Sequence, residues 1–282
     1  MALPSDFDVN EFVQRVLAED LGKGGDVTSN ATIDADARFS AEMNCRQAIV
    51  VAGLELAAAF FRALDPEVSV ELLANDGDRA EHGTTIMRRA GKARAMLTAE
   101  RSALNTLQHL SGIATLTRTY VDEIAGTGAV VIDTRKTLPG LRVLEKYAVR
   151  MGGAQNHRMR LDDGVLIKDN HVAVCGGVAE AVRRAKAANT GLQVQVEVDR
   201  LDQIEPALKA GAERLLLDNM DPAKLREAVK MVAGRVPLEA SGGVTLETIR
   251  FLAETGVDFI SLGRITQSAP SVDIGLDYAL SR

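Results

Sequence analysis

The second half of the chain repeats one pattern of apolar and polar positions: a short apolar run, a polar residue at its end, a loop and an amphipathic stretch. This alternation predicts parallel β-strands that are joined by helices. Helical periodicity covers residues 178–188, 222–232 and 246–254, and Asp221 and Thr245 stand where the last two helices need N-caps. The predicted strands are residues 129–132, 164–167, 194–198, 214–217, 236–240 and 257–262.

Parallel strands that are connected by helices either close into a (β/α) barrel or open into a doubly wound sheet, and sequence separates the two folds poorly. Polar residues recur at the end of every predicted strand, which favours a barrel, complete or incomplete. The predicted fold class is therefore α/β, with a C-terminal (β/α) barrel of parallel strands.

The first part of the chain has a different pattern, which predicts a smaller, separate α+β domain. Helical stretches at residues 9–21 and 53–64 alternate with strand-like runs, and a long helical stretch at 98–123 could break at Gly112. The strand-like runs are residues 38–45, 48–52, 68–73 and 84–89. The predicted domains are residues 1–112 and 113–269, with a tail, residues 270–282, that could pack on the first domain.

Composition narrows the class of protein without giving its function. With 46% apolar and 26% charged residues, the chain is expected to form an ordinary globular protein. A net charge of −6 provides no overall field that would attract nucleic acid or anionic lipid. Cys45 and Cys175 fit neither a disulfide framework nor a metal site. No membrane span or export signal is evident, so a cytoplasmic location is expected.

The charge is unevenly distributed along the chain. Residues 133–168 contain eight basic and four acidic side chains, so this segment is positive within an acidic protein. A concentration of cations in one segment predicts a pocket for a small ligand that carries several negative charges.

Residues with ionisable or very small side chains stand at the ends of the predicted strands, where a parallel barrel builds its active site. Any one of these residues, taken alone, is best explained as a solvated charge in a loop. Because such residues stand at the ends of all six predicted strands, an active site is the better explanation. The early cations are Arg135, Lys136, His157, Arg158 and Lys168; the later carboxylates are Glu197 and Asp218; the last two loops contain Ser241, Gly242, Gly243, Ser261, Leu262 and Gly263.

This division of charge predicts a ligand with two different ends. Arg and Lys bind carboxylates or phosphates, whereas Asp and Glu bind sugar hydroxyls or a hydrated Mg²⁺. The small residues of the last two loops suit a phosphate group. His157 has surroundings too polar for a core, while His171 could equally hold its loop backbone, and for Arg101 a surface ion pair is the default.

Four motifs in this region resemble those of the quinolinate phosphoribosyltransferases: DTRKTLPG at 133–140, KYAVRMGG at 146–153, NHR at 156–158 and LIKDNH at 166–171. The resemblance covers nearly the whole chain, and no motif position departs from it. Further matching segments are residues 25–29, 99–105, 196–198, 217–220, 239–243 and 261–263.

The resemblance implies a type II phosphoribosyltransferase with an N-terminal α/β sandwich, an open C-terminal α/β barrel and a homodimer whose partner completes each site. It implies a reaction of quinolinate with phosphoribosyl pyrophosphate that gives nicotinate mononucleotide, pyrophosphate and carbon dioxide in NAD biosynthesis. The implied carboxylate ligands are Arg135, His157, Arg158 and Arg101 of the partner subunit. Thr134, Lys136 and Lys168 would also contact substrate, Glu197 and Asp218 would face the ribose and Mg²⁺, and the two small-residue loops would hold the 5-phosphate.

Two other functions stay open at this point. A strand-end lysine beside acidic groups also fits a Schiff-base aldolase with Lys168 as the nucleophile. A paralogue that keeps the fold but binds another ligand, or a metabolite sensor without catalysis, would share the scaffold motifs.

Overall fold

The structure is a computed structural model that describes Leu3 and residues 7–279, without the side chain of Ala279. Residues 1, 2 and 4–6 of the predicted N-terminal domain, and 280–282 of the predicted tail, lie outside the described residues. The chain divides into two compact units. Unit 1 comprises Met1–Arg118, Val143–Gly153 and Ser268–Arg282, and unit 2 comprises Thr119–Arg142 and Ala154–Gln267. The predicted domains, residues 1–112 and 113–269, are segments that are expected to fold independently, and these limits stay a prediction.

An antiparallel sheet of four strands, in the order β12-β1-β5-β3, forms the centre of unit 1. Residues in β1 alternate between the core and the surface, as Ala41, Met43 and Cys45 are buried and their neighbours are not. A second, two-stranded sheet pairs β2 with β4. With strands numbered along the chain, unit 1 contains β1 (Arg38–Cys45), β2 (Ile49–Val50), β3 (Ser69–Leu72), β4 (Arg79–Ala80), β5 (Thr85–Lys92) and β12 (Ile274–Ala279).

The helices of unit 1 begin at residues that satisfy their free backbone N–H groups. Asp8 and Asp26 are the N-caps of α1 and α2 and accept hydrogen bonds from backbone N–H groups of the first turns. At the start of α3 the cap is remote in sequence, because Asp76 accepts from the N–H groups of Gly53 and Leu54. The helices that lie wholly or mostly in unit 1 are α1 (Val9–Leu21), α2 (Val27–Thr32), α3 (Leu54–Leu64), α4 (Ala93–Glu123) and α5 (Arg142–Met151).

Helix α4 is continuous, so the predicted break at Gly112 is wrong. The glycine has a packing role instead. A Cβ atom at residue 112 would collide with the carbonyl oxygen of Pro270 and lie 3.1 Å from Cα of Ser271. The absence of a side chain at this residue therefore lets the C-terminal segment run close against α4.

A parallel sheet of six strands, in the order β6-β11-β10-β9-β8-β7, forms the core of unit 2 and has β6 and β7 at its edges. Its strands lie where the apolar runs predicted them, with one difference. The fifth strand begins after Pro237, because proline has no N–H to donate to the ladder. The strands are β6 (Val130–Ile132), β7 (Val165–Ile167), β8 (Val194–Val198), β9 (Arg214–Asp218), β10 (Leu238–Ser241) and β11 (Phe259–Ser261).

Helices connect these strands, which confirms the predicted α/β class with a parallel C-terminal sheet and a smaller antiparallel domain. Asp221 caps its helix as predicted, by accepting from the N–H groups of Ala223 and Lys224. No helix in the described part of the chain has the length and apolar character of a membrane span. The helices are α6 (Asp169–Cys175), α7 (Val178–Ala187), α8 (Ile204–Lys209), which follows a short 3-10 helix (Leu201–Gln203), α9 (Pro222–Val232), α10 (Leu246–Ala253) and α11 (Arg264–Gln267).

Candidate active site

A cavity of about 550 Å³ lies at the carboxyl ends of the parallel strands of unit 2. Parallel α/β sheets and barrels place their active sites at this end, because the strand tips and following loops converge there. The lining residues are Thr134, Arg135, Lys136, His157, Arg158, Leu166, Lys168, Glu197, Leu216, Asp218, Asn219, Glu239, Ser241, Gly242, Gly243 and Ser261.

Asp133, at the tip of β6, fixes the loop that carries two of the cavity's basic residues. Its carboxylate is fully buried and accepts hydrogen bonds from the backbone N–H of His157 at 2.8 Å and from the Asn156 side chain at 2.6 Å. Arg142 holds the facing loop by donating to the Thr137 hydroxyl and to the Met159 carbonyl. Part-buried hydrogen bonds therefore hold the two segments that carry Arg135, Lys136, His157 and Arg158.

Two guanidinium groups, those of Arg135 and Arg158, lie near each other in this cavity. Burial lowers the pKa of Arg158, and the neighbouring charge of Arg135 lowers it further. Arg158 donates one hydrogen bond to the Gly164 carbonyl at 2.9 Å, whereas the buried Nε of Arg135 has no hydrogen-bond partner. Two partly desolvated cations that repel each other form a site that an anion would stabilise.

His157 contacts a group of buried polar side chains in the sheet, one of which, Glu239, also lines the cavity. Its Nε2 lies 3.1 Å from Oε1 of Gln195 and 3.4 Å from Oε2 of Glu239, and its Nδ1 accepts from the backbone N–H of Arg158. Glu239 also accepts from Gln195 at 2.7 Å and pairs with Arg214 at 2.8 Å. Burial opposes ionisation of Glu239, but the His157 hydrogen bond and the Arg214 charge outweigh it and lower the pKa.

Carboxylates and a lysine occupy the tips of β8, β9 and β7. The ammonium of Lys168 lies 2.9 Å from Oε2 of Glu197, whose side chain is only 10% exposed. Burial and the nearby charge of Glu197 raise the pKa of Asp218, although Lys168 and Lys136 partly offset the effect. The Asn219 side chain donates to the Asp218 carboxylate at 2.7 Å.

The two small-residue loops are shaped by close approaches. Gly242 has φ +98°, and a Cβ atom there would collide with the side chain of Asn219. A Cβ atom at Gly263 would lie 2.7 Å from Cδ of Lys136. These glycines leave room for neighbouring side chains, and Gly242 itself lines the cavity.

The structure brings most of the predicted site residues together. Of the fifteen, twelve line the cavity, and Gly263 lies beside Lys136. Leu262 has a buried side chain, and its N–H is donated to the Ile132 carbonyl. Arg101 is exposed on α4 of unit 1 and does not belong to the described lining.

Two lining residues, Leu166 and Leu216, were not predicted, whereas Asn219 and Glu239 stand at the ends of predicted strands, in the matching segments 217–220 and 239–243, without an assigned role. Leu166 and Leu216 look like ordinary core residues in sequence, and only the strand register shows that they face the cavity. Asn219 has φ +54° and therefore lies in the left-handed region, where asparagine is enriched. Asn219 directly follows a strand-end Asp, and this preference for turns is consistent with its position at the site.

Glu197 and Asp218 are the residues that could hold a metal ion in this cavity. Among the described residues there is no group of three or more His, Cys, Asp or Glu side chains arranged to ligate a metal. Two carboxylates are nevertheless what Mg²⁺ usually takes from protein when substrate phosphates and water supply its remaining ligands. The donor set therefore fits a substrate-chelated Mg²⁺ better than a permanent all-protein site.

Family models cover nearly all of the chain. Residues 26–111 match the N-terminal domain of quinolinate phosphoribosyl transferase, and residues 113–277 match its C-terminal domain. The chain belongs to the quinolinate phosphoribosyltransferase family. This confirms the resemblance that the motifs suggested, and as a member of the family the chain is a phosphoribosyltransferase.

Relatives in the quinolinate phosphoribosyltransferase family align with nearly the whole chain. It is 43% identical to the nicotinate-nucleotide pyrophosphorylase (carboxylating) of Mycobacterium leprae, over 96% of this chain and 98% of that protein. It is 41% identical to a probable enzyme of the same name from Bacillus subtilis, over 97% of this chain and 94% of that protein.

Solved structures of the family have the same fold. The nicotinate-nucleotide pyrophosphorylase of Francisella tularensis superposes with a TM-score of 0.92 at 38% identity and covers 96% of both chains. The enzyme of that name from Pyrococcus furiosus has a TM-score of 0.72 at 17% identity, with 98% of this chain and 78% of that chain covered. The second comparison shows the fold alone.

Proposed function

We propose that the protein catalyses transfer of a phosphoribosyl group from phosphoribosyl pyrophosphate to quinolinate, with loss of carbon dioxide, to give nicotinate mononucleotide and pyrophosphate. This is the carboxylating nicotinate-nucleotide pyrophosphorylase activity for which its relatives are named. Both substrates carry several negative charges, so their mutual repulsion must be offset before they can meet. The cations of the cavity supply that compensation.

The observation that carries this proposal is the guanidinium pair of Arg135 and Arg158. The buried Nε of Arg135 has no protein partner, so a substrate carboxylate would satisfy a donor that is otherwise desolvated. Arginine is suited to this role because its planar group can bind a carboxylate with two parallel hydrogen bonds. We assign Arg135 and Arg158 to the two carboxylates of quinolinate, and Thr134 to the same side of the site.

The other half of the cavity suits phosphoribosyl pyrophosphate. Lys136 and Lys168 would neutralise phosphate charge, and the loops that contain Ser241, Gly242, Gly243, Ser261 and Gly263 would receive the 5-phosphate. The ion pair between Lys168 and Glu197 fits a charge-neutralising lysine, which differs from the role of a Schiff-base nucleophile. Trapping with borohydride distinguishes the two, because only the aldolase would give a stable adduct on Lys168.

The reaction needs no nucleophilic side chain. As the bond to pyrophosphate breaks, positive charge develops on the ribose, and the carboxylates of Glu197 and Asp218 would stabilise it. The pyridine nitrogen of quinolinate forms the new bond. The positive charge on the nitrogen then stabilises the carbanion that is left on the ring carbon when carbon dioxide departs, and a proton from solvent completes the nicotinate ring.

Mg²⁺ is the metal that we propose for this site. When bound, it would neutralise the pyrophosphate leaving group, and Glu197 and Asp218 would hold it directly or through water. The direct test on the protein is binding of Mg²⁺ by calorimetry with and without phosphoribosyl pyrophosphate. Tight binding in the absence of that substrate would contradict a substrate-chelated ion.

We also propose a homodimer with shared sites, in which Arg101 of the partner subunit reaches the quinolinate carboxylates. Support comes from the exposure of this arginine on α4 and from its place in a family motif. An Arg101→Ala chain mixed with a Lys168→Ala chain should regain activity, because one site of the mixed dimer would be intact. Failure of mixed dimers to regain activity would rule out sharing. A cytoplasmic location is proposed as well, and cell fractionation tests it.

The activity itself is tested by incubating the protein with quinolinate, phosphoribosyl pyrophosphate and Mg²⁺. Formation of nicotinate mononucleotide and carbon dioxide in equal amounts is the expected result. Ligand binding without turnover would instead favour a metabolite sensor on the same fold.

A further inference from the structure

Glu239, Gln195 and Arg214 form a group of polar side chains within the parallel sheet, in which Glu239 also lines the cavity. Glu239 is 1% exposed and Gln195 is 4% exposed. Each could be replaced by an apolar residue if its only role were to fill the interior, and buried charges are costly to keep. Gln195 and Glu239 both contact His157, which lines the cavity.

We propose that Gln195 and Glu239 are positioning residues that fix the tautomer and orientation of His157, and that His157 in turn positions Arg158 instead of hydrogen-bonding the substrate itself. The inference deepens the proposed function, on which it rests for the identity of the acceptor. It revises the sequence-based expectation that His157 grips a carboxylate of quinolinate.

Two independent hydrogen bonds define the tautomer. A backbone N–H can only donate, so the 2.7 Å contact from Arg158 makes Nδ1 of His157 an acceptor. The proton of the neutral ring must then be on Nε2. The Gln195 amide requires the same, because its NH₂ group faces the acceptor-only carboxylate of Glu239, which leaves its oxygen toward His157 as an acceptor.

Both ring nitrogens of His157 are therefore directed at protein atoms. One holds the backbone of Arg158, and the other is anchored on Gln195 and Glu239. The ring thus links Gln195 and Glu239 of the sheet to Arg158, whose guanidinium is assigned to the substrate. Asp133 holds the same loop through the His157 N–H, so the loop is fixed at two atoms of one residue.

The charge of Glu239 is maintained from the opposite side by Arg214. The Arg214 guanidinium lies 2.8 Å from Glu239 and 4.0 Å from the centre of the Phe259 ring. An ionised Glu239 is the stronger acceptor for the Nε2–H group of His157. The buried ion pair thus keeps one orientation of the imidazole favoured over its flipped alternative.

Nuclear magnetic resonance on the wild-type protein labelled with ¹⁵N-histidine tests the tautomer without any substitution in the network. The chain has four histidines, and the His157→Ala variant assigns the signal. We expect the Nε2–H form for His157 in the absence of substrate and no change of tautomer when quinolinate binds. A predominant Nδ1–H form, or a proton that moves when quinolinate binds, would overturn the inference.

Steady-state kinetics of Gln195→Met test the positioning role, because methionine keeps the volume and removes both hydrogen bonds. We expect KM for quinolinate to rise roughly tenfold, as for loss of one hydrogen bond to a charged group, with KM for phosphoribosyl pyrophosphate unchanged. In a His157→Ala background the same substitution should have no further effect, because its path to the substrate is already broken. Additive losses in the double variant would contradict the proposal.

Glu205→Gln, which removes a carboxylate from an exposed ion pair with Arg235, is the control and should leave both KM values unchanged. Glu239→Gln should be milder than Glu239→Leu, since glutamine can still accept from Nε2–H. The reverse order would overturn the role assigned to Glu239. Absence of turnover in the wild type would defeat the proposed function alone, because the tautomer is read without substrate.

Discussion

Gly242 packs so closely against Asn219 that a Cβ atom at residue 242 would lie 2.6 Å from Cγ of that side chain and closer still to its oxygen. Asn219 donates to the Asp218 carboxylate, so a displaced asparagine would disturb both the loop and a site carboxylate. We predict that Gly242→Ala raises KM for phosphoribosyl pyrophosphate by roughly 10- to 100-fold, as misplaced groups do. KM for quinolinate should change less.

Gly234→Ala provides a matched control for this substitution. Gly234 also has a positive φ, +73°, but no atom lies within 4 Å of the Cβ position. Both variants should lose about 1 kcal/mol of stability to the left-handed backbone. Only Gly242→Ala should lose substrate affinity, and equal kinetic losses in the two variants would mean that backbone strain alone explains the effect.

Arg135→Ala and Arg158→Ala should weaken quinolinate binding far more than phosphoribosyl pyrophosphate binding. Removing one member of a desolvated charge pair costs about 2–5 kcal/mol, which calorimetry with each substrate can measure. Arg183→Ala, which removes an exposed cation of α7 that pairs with Glu180, should affect neither. Equal losses for the two substrates would refute the assignment of the guanidinium pair.

Asp218 should show opposite effects of pH on activity and on stability. Burial and Glu197 raise its pKa above the ordinary value of 3.8, so it takes up a proton at a higher pH than a solvated aspartate. The protonated acid cannot stabilise positive charge on ribose, so kcat should fall as the pH drops through this raised pKa. A pH profile whose acid limb is unchanged in Asp218→Asn would show that another group is responsible.

The stability effect of Asp218 has a definite sign. A carboxyl with a raised pKa in the folded state contributes stability below its ordinary pKa, and this is lost as the pH rises through the raised value. At neutral pH, Asp218→Asn should therefore raise Tm by a few degrees while reducing activity. Asp221→Ala is the control of opposite sign, because the pKa of this helix cap is lowered by backbone N–H bonds, and Tm should fall.

Gly263→Ala should displace Lys136, because the added Cβ atom would lie 2.7 Å from its Cδ. We expect kcat/KM for phosphoribosyl pyrophosphate to fall by roughly tenfold, with little change in stability, since a lysine side chain can move. Gly24→Ala, where the nearest atom to a Cβ lies at 4.0 Å, should leave the kinetics unchanged. Wild-type kinetics in Gly263→Ala would mean that the placement of Lys136 is not important.

The strands of the parallel sheet could be predicted because each is an uninterrupted apolar run that ends in polar residues. The short helices α2 and α6 could not, since they are turn-like segments whose helical form depends on tertiary contacts, whereas the amphipathic pattern of α5 could have predicted that helix. Helix α6, for example, has no buried residue, and its first turn is held by the His171 ring accepting from the Lys168 N–H. The pattern of apolar and polar residues cannot predict a hydrogen bond of this kind.

Charge alone identified the segment at residues 133–168 but could not assign its members. Arg135, Lys136, Arg158 and Lys168 line the cavity, whereas Arg142 uses its guanidinium to hold two loops. Lys146 is fully buried in unit 1, and Arg160 pairs with Asp162 at the surface. These seven cations look alike in sequence because burial and partners, which distinguish them, arise only on folding.

The pairing of β12 with β1 gives the sheet of unit 1 its final strand from the far end of the chain, with Cys45 opposite Ile274. A ribosome that adds about 5–20 residues per second would need roughly 10–50 s to reach this strand after making β1. Throughout that interval the edge of β1 would be open to other strands of nascent chains. Protein synthesis therefore imposes a waiting period on this fold, during which a chaperone that shields β-edges would protect the yield of active protein.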